Sequence, residues 1–235
     1  TGTRILMFNF VDVGLPQLER ETIDGVRYYK LPTEEELRRL VSITSVTSFY
    51  NRQIFIDWRK KVGEEKANQI TKAATSRGTD MHSLAESYLK NEDLPSVQPL
   101  SEYLFKQAKP YLNKIDNIHA LEDSLYSLHL GIAGTVDCIA EYDGELAVID
   151  FKTAKKPKPK EWIENYFVQA AAYACMFYEL TDILVKKFVI LMSCENGEVV
   201  EYVIRGEEKV EYIKLLGKYV QNFVEHKLNE YGTRT

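Results

Sequence analysis

The stretch GTVDCIAEYDGELAVIDFKT, residues 134–153, decides how the chain is read. Two runs rich in apolar residues flank Asp143-Gly144, and Asp-Gly in that setting signals a two-residue hairpin turn. With those two residues as the turn, Tyr142 faces Glu145, Ala140 faces Ala147, Ile139 faces Val148 and Asp137 falls opposite Asp150. Directly opposed Cβ atoms lie about 4.5–5.5 Å apart, and like charges there repel. Lys152 is two residues beyond Asp150 and shares its face. Two carboxylates and an ammonium are therefore expected to converge at the far end of a greasy hairpin. A β-bulge would shift this register by one.

Facing carboxylates at the edge of an apolar sheet need positive charge between them, or one takes up a proton. A hard divalent cation suits such oxygen ligands. A lysine beside it can orient a water or steady developing negative charge. A buried Asp–Lys ion pair with a second Asp on a loop fits the same spacing without chemistry.

Three other features bear on the choice. In SRGTDMHSLAESYL (76–89), His82 and Glu86 are four apart on one helical face, where His82 suits a metal ligand or a phosphate contact. In QAAAY, Gln169 and Tyr173 share a helical face in the same way. The run KKPKPK (155–160) comes just after Asp150 and Lys152, so Asp150 to Lys160 holds five Lys and one Asp. That local excess suits phosphates, although a solvated loop is its plain alternative.

The chain has 235 residues, 45% hydrophobic, enough to bury a sizeable core. Net charge is −5, which argues against a bulk nucleic-acid binder but leaves room for a basic patch at one site. No run of about 18 apolar residues predicts a transmembrane span, so no membrane partner is expected. Cys138, Cys175 and Cys194 lack zinc or iron–sulfur spacing and read as buried reduced thiols of an intracellular protein. No signal or transit peptide is visible. The chain begins at Thr1, so a leader removed earlier stays compatible.

Residues 3–31 read as short strands around an Asp24-Gly25 turn. Glu34–Leu40 reads as one or two helical turns. Thr47 or Ser48 is expected to cap a helix running to about Val62. Residues 64–90 are helical in composition, interrupted at TSRGTD (75–80), and a helix from Leu100 to Ile115 contains Pro110. From His119 the pattern turns to strands, then the hairpin, the helix NYFVQAAAYACMFYEL (165–180) and a hairpin at Glu195-Asn196-Gly197. The last helix, 207–231, carries Val210, Ile213, Leu216, Val220, Phe223 and Val224 on its apolar side. The central hairpin is apolar on both faces, which predicts an α/β fold with a covered mixed sheet. The expected organisation is a single domain over 1–235. An N-terminal β extension takes 1–45, a helical part 46–117, and the core sheet with its helices 118–235.

Four motifs in order, Gly78-Thr-Asp-Met-His82, Gly134-Thr-Val-Asp137, Asp150-Phe-Lys152 and Gln169-Ala-Ala-Ala-Tyr173, resemble the RecB-like branch of the PD-(D/E)XK nuclease superfamily. Within it the likeness is greatest to the mitochondrial genome maintenance exonuclease group. It covers roughly residues 25–190 and includes the SVT of SITSVTSFY. The resemblance implies a restriction-endonuclease-like core and a DNA exonuclease using Mg2+, with Mn2+ substituting. His82, Asp137, Asp150 and the carbonyl of Phe151 would bind metal, and Lys152 would position the attacking water. Gln169 and Tyr173 would support the site or touch DNA, Ser45 and Thr47 would contact a phosphate, and Glu86 is a further member. Lys155, Lys156 and Lys158 would hold the backbone. Single strands with free ends are the implied partner, with helices of residues 47–75 walling or arching over a strand passage. Val136 stands where the superfamily often has proline, and no iron–sulfur cluster is expected, because its four cysteines are absent.

The expectation is a stand-alone exonuclease in DNA replication, repair or recombination, in the cytoplasm of a prokaryote or phage host or in the mitochondrial matrix. Phe49, Tyr50, Phe55 and Trp58 suit stacking of unpaired bases, and at helical spacing they also suit a core. The rivals are a structure-specific endonuclease on the same fold and an inactive DNA-binding module. Oligomeric state, DNA versus RNA preference and digestion polarity are open at this level.

Overall fold

The computed structural model describes residues 7–32 and 37–232. It opens with strands β1 (Glu19–Ile23), β2 (Val26–Pro32) and β3 (Leu37–Ser42). Helices α1 (Ile43–Tyr50), α2 (Arg52–Val62), α3 (Glu64–Leu89) and α4 (Pro99–Leu112) follow. Strands β4 (Ile115–Ser127), β5 (Ile132–Tyr142) and β6 (Glu145–Ala154) lead through a 3-10 turn at Lys160–Ile163 into α5 (Glu164–Thr181). Strands β7 (Lys187–Cys194) and β8 (Val199–Arg205) and helix α6 (Gly206–Gly232) complete the chain.

The β5–β6 hairpin has the register set by its turn: Tyr142 pairs with Glu145, Ile139 with Val148 and Cys138 with Ile149. Asp143 and Gly144 have φ values of 51° and 81°, the two positive angles that a twisted two-residue hairpin requires. Asp24 and Gly25 turn β1 into β2 in the same way, at 50° and 77°.

Among the described residues all eight strands join one mixed sheet in the order β1-β2-β3-β5-β6-β7-β8, with β4 also on β5. β3 runs parallel to β5, β6 parallel to β7, and the other pairs are antiparallel. β4 follows β5 from Ile132 to Tyr142 and so takes one of its edges. The other edge is divided: β3 pairs only at Ile132 and Ala133, and β6 pairs only from Cys138 onward. Between them, residues 134–137 of β5 face an open gap in the sheet, and Asp137 stands in it.

Both sheet faces are covered, as the apolar hairpin predicts. On one side α1, α5 and α6 pack Ile43, Val46, Phe167, Phe177, Leu216 and Tyr219 onto Ile139, Val148 and Ile190. On the other, α3 and α4 pack Met81, Leu84, Phe105 and Leu112 onto Cys138, Ile149 and Phe151. No helix among the described residues is long and apolar enough to cross a membrane. The three cysteines are free, with Cys175 only partly buried.

Several local expectations are corrected. Residues 37–42 form β3 rather than helical turns, because pairing with β2 from Val41 to Leu37 outweighs helical composition; residues 33–36 lie outside the described residues, as do 3–6 of the first expected strands. The first helix begins at Ile43, capped by Ser42, whose Oγ accepts from the Thr44 amide, rather than by Thr47 or Ser48. It ends at Tyr50, so the segment to Val62 is two helices broken at Asn51. No interruption occurs at TSRGTD. The Thr75 hydroxyl donates back to the Thr71 carbonyl, and the packing of Met81, Leu84 and Ala85 outweighs the roughly 1 kcal/mol that Gly78 costs within a helix. Val210 and Val224 are exposed rather than on the buried side of α6, where Leu216, Tyr219 and Phe223 are buried and Ile213 and Val220 pack partly buried against the core.

Candidate active site

The gap in the sheet is where the motif residues meet. Regular alternation would put Val136 and Cys138 on one face, but Val136 packs with the α5 side and Cys138 with the α3 side. The break falls on Asp137. Its Oδ2 accepts from the Phe151 amide at 2.9 Å, taking the place of the next ladder bond. The same oxygen lies 2.8 Å from His82 Nε2, which reaches across from α3. Asp137 is therefore not an ordinary cross-strand neighbour of Asp150, as the simple register had it; its carboxylate serves the open edge from both faces. Asp150 is nonetheless near enough for the Asp137 charge to push its carboxyl up.

His82 is held from behind. Its Nδ1 is 2.6 Å from the Gly78 carbonyl, one helical turn earlier, which fixes the ring. Asp150, 6% exposed, keeps one carboxylate oxygen, Oδ2, with no hydrogen-bond partner. Lys152 Nζ is 3.1 Å from that oxygen but outside hydrogen-bonding geometry. The ammonium also sits 4.5 Å from the centre of the Tyr166 ring. From α5, Gln169 Nε2 donates to the Tyr173 hydroxyl at 3.0 Å. Tyr173 packs so closely on Gly134 that a Cβ there would lie 2.8 Å from its Cε1.

The charges follow from this burial. Desolvation works against the His82 cation, but the charge and hydrogen bond of Asp137 outweigh it and lift the ring to about 9. Desolvation also opposes the Asp137 anion, and His82 overrides it, holding that carboxyl well below the usual range. Burial pushes Asp150 up, the Lys152 ammonium pulls it down, and the Asp137 charge pushes it up again; the net direction is up. Burial would discharge Lys152, yet Asp150 and Asp137 raise it instead, so it stays an ammonium. Burial raises the Tyr173 phenol.

Glu122 is the site residue that sequence reading missed. In the β4–β5 register Leu121 pairs with Cys138 and Asp123 with Val136, so Glu122 stands beside Asp137. Burial pushes its carboxyl up to about 8, with the Asp137 charge adding to the effect. Glu122 and Glu86 line one cavity with His119. The signal was available only to a pairing of β4 with β5, which the hairpin turn does not set.

The other expected residues lie at the margins. Ser45 Oγ accepts from the Arg27 amide at 2.9 Å, and the buried Thr47 hydroxyl donates to the Thr44 carbonyl at 3.1 Å. Lys155 and Lys156 are exposed, and Lys158 lies 6.0 Å from the centre of the Tyr166 ring. Lys160 is engaged by Glu208. Phe49 packs against Phe223, and Tyr50 stacks on Tyr219 with ring centres 3.7 Å apart.

Among the described residues no three His, Cys, Asp or Glu side chains are already grouped around a common ion position. The donor set nevertheless fits a hard cation. It offers an orphaned buried carboxylate oxygen, a second carboxylate now neutralised by a histidinium, and the chain at Phe151 between them.

The sequence model of the PD-(D/E)XK nuclease superfamily matches residues 98–225. Mitochondrial genome maintenance exonuclease 1 of Homo sapiens is 28% identical over 158 residues, 61% of this chain and 45% of that protein. The Mus musculus protein of that name is 33% identical over 109 residues, 43% of this chain and 32% of its own. The Xenopus tropicalis one is 30% identical over 182 residues, 68% and 50%. The chain thus spans half or less of the length of these curated relatives. A solved structure of a candidate exonuclease from Eubacterium rectale is 13% identical, with a TM-score of 0.49 over 69% of this chain and 68% of that one. The family match covers over half of the chain, including β5, β6 and α5 with Asp137, Asp150, Lys152 and Gln169, and the chain accordingly belongs to the PD-(D/E)XK nuclease superfamily.

Proposed function

We propose that the chain is a metal-dependent DNA exonuclease that prefers single strands with free ends and serves DNA replication, repair or recombination. The observation that carries this reading is the meeting of His82, Asp137, Asp150 and Lys152 at one strand gap, where a buried Asp150 oxygen faces the Lys152 ammonium without a hydrogen bond. The curated relatives, named as exonucleases of mitochondrial genome maintenance, support DNA as the substrate.

Asp137, Asp150, the Phe151 carbonyl and His82 are the residues that would hold Mg2+ or Mn2+. When bound, the ion polarises the phosphate and lowers the pKa of a coordinated water. The chain's own groups do the rest. His82 must release its proton and its grip on Asp137 to serve as a ligand. Lys152, kept cationic by its two aspartates, orients the attacking water and steadies charge on the phosphate rather than taking a proton. Gln169 and Tyr173 brace the Gly134 segment that leads into Asp137. The Ser45 hydroxyl keeps its O–H for a phosphate, whereas Thr47 shapes the turn of α1. Lys155, Lys156 and Lys158 take the approaching backbone.

The deciding experiment is digestion of end-labelled linear single-stranded DNA beside a circular single strand and a blunt duplex, with Mg2+ and with EDTA. Metal-dependent loss of the linear strand alone is the expected result, and the order of label loss gives the polarity. Cutting of the circle would replace the exonuclease by an endonuclease. Three intact substrates in both Mg2+ and Mn2+ would refute the reading.

A further inference from the structure

An open groove of about 880 Å3 runs between α2 and the segment joining β6 to α5. Tyr50, Ile54, Phe55 and Trp58 form one wall, Trp162 and Tyr166 the other. These are not core side chains: Trp162 is 73% exposed, Ile54 71% and Phe55 49%. Some of the rings are already engaged. Tyr50 has one face on Tyr219, and Phe55 packs against Trp58 and carries Arg59 over its ring. The Trp162 indole has no ring or cation partner among the described residues. A contiguous exposed apolar surface of this kind marks a binding site.

Position and charge identify the occupant. Tyr166 forms part of the groove and also touches the candidate active site, its ring centre 4.5 Å from Lys152 Nζ. The groove is therefore continuous with the place where the scissile phosphate is expected. Lys158 lines the groove, and the exposed Lys155 and Lys156 precede it on the same loop. Glu161 and Glu164 line it as well; both are exposed, and Glu164 accepts the Tyr219 hydroxyl at 3.0 Å. The lysines of the loop suit phosphates, and the exposed rings beside them offer flat apolar faces. An unpaired nucleotide chain has that arrangement of charge and ring. A duplex buries its base faces in its own stack and offers none to the groove.

We propose that this groove is a nucleobase-stacking subsite. It takes the unpaired bases next to the phosphate bound near Asp150, and Trp162 is its principal free face. The proposal rests on the nuclease reading and deepens it: base stacking here, rather than the catalytic residues, selects single strands. Stacking on an aromatic ring tolerates any base, so the subsite selects strandedness without reading sequence.

The test is fluorescence anisotropy of the full chain in EDTA, so that no strand is cut. Three labelled probes of about 12 units are compared: an oligothymidylate, a strand of abasic sites with the same phosphates, and a duplex. The wild-type chain is expected to bind oligothymidylate roughly tenfold tighter than the abasic strand. Trp162→Ala should remove most of that ratio, and Trp162→Phe should keep it. Equal binding of the two strands by the wild-type chain, or an unchanged ratio in Trp162→Ala, overturns the proposal. A dimer that Trp162→Ala converts to monomer in sedimentation also overturns it, since the groove is then a self-interface. Cleavage of the linear strand with Mn2+ is followed in parallel. Base-dependent binding without cleavage supports the groove and sinks the nuclease reading; cleavage with base-independent binding sinks the groove alone.

Discussion

A methyl group at position 134 would lie 2.8 Å from Tyr173 Cε1 and 3.0 Å from Ile43 Cγ2. Both neighbours are buried and fixed by packing, so neither can yield cheaply. Gly134→Ala should therefore destabilise the fold by about 1–3 kcal/mol in urea unfolding. An unchanged midpoint would mean that Tyr173 is looser than its burial indicates. On the neighbouring strand the expected chemistry takes over from packing. Asp150→Ala and Lys152→Ala should each reduce cleavage of linear single-stranded DNA to background. Lys152→Ala should still bind the strand, because the role proposed for the lysine lies at the reacting phosphate rather than in affinity. Retained cleavage in either variant would remove the residue from the mechanism.

At the scale of elements, the loop between β6 and α5 is where charge and structure can be separated. It is pinned at its start by backbone bonds from Glu195 and Asn196 to Ala154 and Lys155, and by the Tyr202 hydroxyl on the Lys158 carbonyl at 2.5 Å. The ammonium groups of Lys155, Lys156 and Lys158 are not needed for that pinning. Replacing the three with Ala should weaken single-strand binding and lower the slope of log affinity against log salt by about 0.7 per lost phosphate contact. An unaltered slope would return the loop to plain solvent exposure. Lys160 is left out because Glu208 already engages it. The same scale shows what sequence could and could not reveal. The β5–β6 register was legible because Asp143-Gly144 sets it locally, and the α5 pair was legible because Gln169 and Tyr173 are one helical turn apart. Glu122 was not, because its neighbour Asp137 is reached only through β4–β5 pairing, whose register shifts between Asp116 and Ala120. β3 was misread because its six residues are stabilised by β2 and β5 rather than by their own pattern.

For the molecule as a whole, the site sets how stability answers to pH in the absence of metal. His82 rises from about 6.5 to about 9 on folding, so its contribution is complete below pH 6.5 and is lost as pH climbs through 9. Glu122 rises from about 4.5 to about 8, so the folded chain keeps a proton that the unfolded chain releases, and stability again falls as pH rises through that window. Both act in one direction, and the melting temperature in EDTA should drop between pH 6.5 and 9. His82→Gln should flatten the decline; a slope that stays the same would show that other groups dominate. The divided edge of β5 has its own consequence at this scale. The β1–β3 meander is joined to the rest of the sheet by two backbone pairings, at Val41 and Ser42, by the Tyr29 hydroxyl on Thr135 at 2.7 Å and by the small cluster of Tyr29, Leu40 and Ala133. That is a narrow attachment for three strands. In native-state deuterium exchange the amides of β1–β3 should open as a unit well before those of β5–β7. Because α1 continues directly from Ser42, each such opening also loosens the wall that Ile43 forms against Gly134 beside the strand gap.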